Sequence, residues 1–294
     1  MENKVYITDE SANFTTIRDP MVMLVGDTYY VTGTQPPYWK GVNDGVRLLS
    51  SKDLKTFTDH GLVIKREDMP EDMWCRDRFW APEIFDGKNG WFYITFNCRN
   101  EDERYAYGHS VGVARARKPE GPYEIVTKEK ALHHGNDATI FLDDDGKAYI
   151  GFTCADKLVL YRFDLDTCEI SEEQVVCYKG NEGEWDSIGV EGQCIVKRHG
   201  IYFQWYSSWT NGYAAGVLTS DSIHGPWKKA ADINPIISEN ELWYRAGHNH
   251  SFKGLDGKDY VTFHCFIKGE NEEEIERFII RPVEYHPDGT VTVG

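Results

Sequence analysis

Four ionisable residues open stretches of this chain that share one pattern. They are Asp19 in DPMVMLVGDTYYVTGT, Asp137 in DATIFLDDDGKAYIGFT, Glu191 in EGQCIVKRHGIYFQWYSS and His248 in HNHSFKGLDGKDYVTFHC. A fifth stretch, PEIFDGKNGWFYITFN, places Glu83 close to the same position, just after Trp80-Ala81-Pro82. Carboxyl groups gathered in one cleft repel one another, and burial disfavours their charged forms, so some of them stay protonated near neutrality. A protonated acid facing an ionised carboxylate is the equipment for breaking a glycosidic bond. The acid protonates the leaving oxygen while the other group activates water or attacks directly. Carboxyl groups set on opposite sides of a channel leave room for a water and favour inversion at the anomeric carbon.

The elements that must position these residues are legible in the repeat. Each stretch reads as a polar residue, an apolar run, a turn rich in Gly and Asp, and an aromatic-rich run. Successive stretches begin roughly 55–65 residues apart, a spacing that marks a repeat architecture. DG, NG and HG dipeptides supply the positive φ of tight hairpin turns, and Tyr, Phe, Val, Ile and Thr on either side suit half-buried strands. Weaker strand pairs lie between them, such as VRLLSSKDLKTFTDHG, VGVARARKPEGPYEI, LVLYRFDLDTCEI and AGVLTSDSIHGPWKK. Two hairpins per repeat make a four-stranded blade, so the expected fold is an all-β five-bladed propeller spanning residues 1–294 as one domain. The first strand of each blade lines the central channel, which brings the five polar positions to one pocket. A pair of β-sandwiches is the competing architecture, but it does not call for five equivalent hairpins.

Composition narrows the partners. The chain has 294 residues with a formal net charge of −16, which argues against nucleic acid or an anionic membrane surface. No stretch approaches the roughly 18–20 apolar residues of a membrane span. The N-terminal MENKVYITDESANF has no signal-peptide pattern, and the seven cysteines contain no C-x-x-C pair. Reduced thiols in the cytoplasm are expected, or secretion if a leader has been removed. No phosphate loop, nucleophile elbow or dinucleotide fingerprint is present, so no nucleotide cofactor is expected.

Taken together, Arg18-Asp19-Pro20, Trp80-Ala81-Pro82-Glu83, Asp137-Ala138-Thr139, Glu191-Gly192, Gly247-His248-Asn249 and the closing RPVEYHPDGTVTV resemble glycoside hydrolase family 43 along nearly the whole chain. These are five-bladed propellers that cleave arabinose- and xylose-containing glycans. The resemblance implies Asp19 as general base, Asp137 as the carboxylate that orients the acid and tunes its pKa, and Glu191 as general acid. It also implies that His248 lies near the channel axis, where in some members it helps hold a calcium ion or a water, and that Arg277 faces the sugar. No cofactor is required by this reading; a structural Ca²⁺ in the central channel is the one ion it allows. Two departures bear on sugar specificity. His250 stands where a small residue is common and shares a strand face with His248, and Gly192-Gln193 replaces a frequent Gly-Pro.

Of nine tryptophans, most are expected to pack between blades, while Trp39 and Trp80 are the best placed to stack on a sugar ring; Trp74, Phe79 and Trp209 are weaker candidates. His133-His134 lack metal-ligand spacing and read as loop residues beside Asp137, with His134 brushing the substrate. The expected activity is removal of α-L-arabinofuranosyl or β-D-xylosyl units from plant-derived oligosaccharides, with inversion. An endo-arabinanase or galactosidase of the same mechanism, and a propeller that only binds carbohydrate, are the alternatives.

Overall fold

The computed structural model describes residues 6–7, 17–39, 41–100, 109–210, 212–230, 234–269 and 276–294. Five antiparallel sheets follow one another along the chain and form the blades of a five-bladed β-propeller. Their innermost strands are Arg18–Val25, Arg78–Asp86, Asn136–Leu142, Val190–Arg198 and Trp243–Lys253. These five strands contact one another in ring order and enclose the channel.

Blades I, III and IV are four-stranded meanders. In blade II the third strand, Ser110–Ala116, is edged by two two-residue strands, Glu124–Ile125 and His133–His134. In blade V the strand Arg277–Tyr285 pairs with Val291–Val293 and with Tyr6–Ile7 from the start of the chain, so the first segment closes the last blade. His133-His134 is therefore an edge strand rather than a loop.

The core is divided among the five gaps between blades. Met21, Val46 and Leu48 of blade I meet Phe79, Ile84 and Phe96 of blade II, and comparable clusters fill the other four gaps. Each fully buried large apolar side chain contributes about 1.5–3 kcal/mol. Trp205, Phe96 and Phe263, with no appreciable exposure, are such residues. Packing within a blade is equally tight: a Cβ on Gly112 would fall 2.4 Å from the ring of Phe96, its partner on the adjacent strand of blade II.

One irregularity recurs in every innermost strand. Arg18 pairs with Thr34 and Met21 with Thr32, so Asp19 and Pro20 stand opposite a single residue. The same bulge follows Trp80, Asn136, Glu191 and Gly247. The first bulged residue is in the left-handed region each time: Asp19 (φ 53), Ala81 (φ 43), Asp137 (φ 56), Gly192 (φ 62) and His248 (φ 52). Four of the five are not glycine, and each such residue costs on the order of 1 kcal/mol or more.

Hydrogen bonds across the ring offset that strain. Ala81 N donates to Thr34 Oγ1 at 2.7 Å, Asp137 N to Asn97 Oδ1 at 2.8 Å, His248 N to Ser207 Oγ at 2.8 Å and Asp19 N to His264 Nδ1 at 3.1 Å. The blade before thus clamps the bulge of the blade after. Bulges bend a strand and re-aim its side chains, and here they turn five strand entries toward the channel axis.

Candidate active site

The bulges settle which residues are structurally equivalent. Asp19, Ala81, Asp137, Gly192 and His248 form one ring, while Glu191 precedes its bulge and corresponds to Arg18, Trp80, Asn136 and Gly247. The alignment that places Glu191 level with Asp19 and Asp137 is therefore off by one residue. Glu83 lies two residues beyond Ala81, in the next ring along the channel with Met21, Thr139, Cys194 and His250. The three carboxylates still converge, because Glu191 reaches in from the residue before the bulge.

Asp19 is 5% exposed. Its Oδ2 accepts a hydrogen bond from Thr34 Oγ1 at 2.6 Å, and its Oδ1 lies 3.6 Å from Arg18 Nε, 3.3 Å from His248 Nδ1 and 3.5 Å from His264 Nδ1. Burial works against a charge on Asp19, but His248, the Arg18 guanidinium, His264 and the Thr34 hydroxyl together hold the carboxyl below the usual range. Burial keeps both imidazoles toward neutral, so Arg18 is the permanent part of that field. Arg18 is itself anchored by a buried ion pair with Glu276 and lies 4.7 Å from the centroid of the Trp39 ring.

Glu191 takes the opposite state. Burial, then the neighbouring Asp137 charge, pushes its pKa up to about 7. Asp137 is raised to about 7 by burial and by Asp19. The donors around the pair decide where the proton sits. Asp137 accepts from Asn97 Nδ2 at 2.8 Å and from Gly192 N at 3.1 Å, both groups that can only donate. Glu191 meets Asn136 Nδ2 at 3.2 Å, and Tyr213 OH, which donates to its Oε1 at 2.8 Å and can turn to accept. This difference in donors favours the proton on Glu191 over Asp137.

Asn136 is oriented in turn, because its Oδ1 accepts from Asn97 Nδ2 at 2.9 Å and lies 2.9 Å from His109 Nδ1. Glycine suits position 192 in two ways: its positive φ carries no steric cost there, and a Cβ would crowd His248, coming within 3.2 Å of its Nδ1. That accounts for the Gly after Glu191.

The remaining sequence candidates fall at different distances from this cluster. Trp39, 59% exposed, sits at the rim over Arg18. Trp80 is buried, donates from Nε1 to Tyr38 O at 2.9 Å and packs on His109 with centroids 4.7 Å apart. His134 is on the blade II edge strand with Nδ1 3.1 Å from Ser110 Oγ. His250 is neutral, its pKa lowered to about 3 by burial and then by His248. Arg277 begins the third strand of blade V opposite Cys265, and the arginine brought against Asp19 is Arg18. Arg18, Asn136, Tyr213, His264 and Glu276 went unselected in the sequence. Only Arg18 and Asn136 carried a signal, each standing immediately before a candidate carboxylate.

A calcium ion prefers about 6–8 oxygen ligands at about 2.3–2.6 Å. Around His248 the donors are one imidazole and two carboxylates already engaged with Arg18, Thr34, Asn97 and Gly192. Among the described residues no three His, Cys, Asp or Glu side chains form a metal-holding group. These side chains do not by themselves fit a calcium site. Among the described residues, too, no helix is long and apolar enough to cross a membrane.

The chain is similar to known proteins to different extents. A β-D-galactofuranosidase of Aspergillus niger is 32% identical over 235 residues, covering 73% of this chain and 64% of that protein. Xylosidase/arabinosidase 43A of Humicola insolens is 37% identical over 95 residues, 32% of this chain and 27% of that protein. The chain thus spans less than two thirds of the length of either relative. The crystal structure of a thermostable family-43 glycoside hydrolase superposes with a TM-score of 0.80 at 24% identity, covering 98% of this chain and 95% of that one, a likeness of fold. The sequence pattern of glycosyl hydrolases family 43 matches residues 14–291, nearly the whole chain, and the chain belongs to that family of glycoside hydrolases.

Proposed function

We propose that this glycoside hydrolase removes α-L-arabinofuranosyl or β-D-xylosyl units from plant-derived oligosaccharides by a single displacement with inversion. Asp19 takes a proton from the attacking water, whose oxygen bonds to the anomeric carbon. As the glycosidic bond breaks, Glu191 gives its proton to the leaving oxygen. Asp137 stays ionised beside Glu191 and keeps it protonated. Arg18 holds Asp19 charged, and Trp39 over Arg18 offers an apolar face at the rim. No step passes through a metal. What carries this reading is the convergence of two buried carboxyls shifted in opposite directions: Asp19 on blade I is held below the usual range and Glu191 on blade IV is pushed up to about 7, on strands that are not neighbours around the channel.

The test is hydrolysis of 4-nitrophenyl α-L-arabinofuranoside and β-D-xylopyranoside by wild type, Asp19→Asn and Glu191→Gln, with the anomer first formed followed by NMR. Turnover by wild type, lost in Asp19→Asn, with the inverted anomer appearing first, supports the reading. Near wild-type turnover of an unactivated glycoside by either variant overturns the role of that residue. A second reading has one favouring observation, the galactofuranosidase relative. α-L-Arabinofuranosides and β-D-galactofuranosides share ring configuration from C1 to C4, so 4-nitrophenyl β-D-galactofuranoside belongs in the same assay.

A further inference from the structure

Nine tryptophans occur in the chain, and Trp39 and Trp209 are the two that stand well exposed. Trp39 is explained by Arg18; Trp209 has no place in the mechanism. It is 53% exposed, and beside it Ile188 is 54% exposed. Both belong to the site-facing end of blade IV. Ile188 precedes the innermost strand Val190–Arg198, Trp209 follows its partner Ile201–Ser208, and Val190 pairs with Ser208.

The two residues are held rather than merely left outside. Ile188 N donates to Thr210 Oγ1 at 3.0 Å, and Ile188 O accepts from both Ser208 Oγ and Thr210 Oγ1 at 2.7 Å. The indole lies against Gly189, where a Cβ would fall 2.2 Å from a ring atom. The ring is therefore seated against backbone, and its remaining apolar area is presented to solvent in a preformed position. Leaving such an area in water forgoes burial, and a fixed exposed aromatic beside an aliphatic is the surface that the apolar face of a sugar ring covers.

Its place in the sequence says which sugar. Gly189 is two residues from Glu191, the group that protonates the departing oxygen, so the sugar carrying that oxygen leaves across this rim. We propose that Trp209, flanked by Ile188, is the binding platform for the pyranosyl ring on the leaving-group side, and that it makes the enzyme select glycosides borne on an oligosaccharide over those with a small leaving group. This rests on Glu191 being the general acid.

The experiment compares substrates with and without a leaving-group sugar. Wild type and Trp209→Ala are assayed on xylotetraose and on α-L-arabinofuranosyl-substituted xylotriose, and on β-D-xylopyranosyl and α-L-arabinofuranosyl fluoride, whose leaving group has no ring. The expected result is a loss of roughly tenfold or more in kcat/KM on the oligosaccharides, about twofold or less on the fluorides, and near wild-type values for Trp209→Phe. An equal loss on both substrate types, or none on the oligosaccharides, overturns the proposal. Titration of xylotriose against the intrinsic fluorescence of the Asp19→Asn protein, with and without Trp209→Ala, reads the platform without turnover. A fall of roughly tenfold or more in xylotriose affinity with Trp209→Ala supports it, and an unchanged affinity overturns it. Should Glu191→Gln prove active, the assignment of the acid falls while this binding measurement still reports on the rim.

Discussion

Asp19 and Glu83 are carboxyl groups of like burial, 5% and 6% exposed, on the innermost strands of adjacent blades, yet their pKa values are shifted in opposite directions. Asp19 stands on a bulge, beside Arg18 and under the Thr34 hydroxyl, and is held ionised. Glu83 stands past its bulge, in the ring with Met21, Thr139, Cys194 and His250. Burial, with the nearby Asp137 and Asp19 charges, lifts it to about 8 despite a hydrogen bond with Thr139. Burial by itself thus does not set charge in this channel. The partners do, and the bulge supplies the partners by turning Asp19 toward Arg18 and the neighbouring blades. The upper ring holds the charges that the chemistry uses, and the lower ring is a neutral plug beneath it.

Turnover separates the two carboxylates most. Asp19→Asn removes the base and lowers kcat by on the order of 10²–10⁴-fold, whereas Glu83→Gln, which replaces a neutral acid with a neutral amide, keeps most of it. Comparable losses in steady-state assays of the two variants would break the comparison.

The pH profile sharpens it. Asp19 must be ionised and its pKa is held below the usual range, so the acid limb that Asp19 itself sets lies below that range. Glu191 must be protonated and titrates at about 7, so kcat/KM falls about tenfold per pH unit above that point. A plateau extending to pH 9 would mean that Glu191 is not the proton donor.

The smallest effect is on stability. Between the ordinary value of 4.5 and about 8, folded Glu83 holds a proton that the unfolded chain releases. The stability it contributes is therefore complete below the unfolded pKa and is lost as pH rises through the folded one. The Tm of Glu83→Gln should fall less steeply than that of wild type from pH 5 to 9, as read by differential scanning calorimetry. Parallel curves would show that Glu83 is already charged.

Much of this molecule was legible before folding, and the misreadings are instructive. The hairpin turns are marked by their glycines, as at Gly146, Gly200 and Gly257, all with positive φ. Asp19, Asp137 and Glu191 stand out because a carboxylate at a buried strand entry is costly. Residue type alone, however, aligned Glu191 with Asp19 and Asp137, when the equivalent of those two is Gly192. A bulge adds one residue to one strand and leaves no fixed mark in sequence. His133-His134 read as a loop because two residues are too few to show strand periodicity.

The sequence by itself determined the repeat, the strand-forming runs, the turns and the presence of three acids at strand entries, because these depend on neighbours along the chain. Only the tertiary structure decided which acid keeps its proton. Arg18 meets Glu276 from the far end of the chain, Asp19 leans on His264, and Glu191 is bonded to Asn136 of one blade and Tyr213 of its own. A pKa is set by whatever lies within a few ångströms, and in a closed ring of blades those groups come from segments that no local pattern connects.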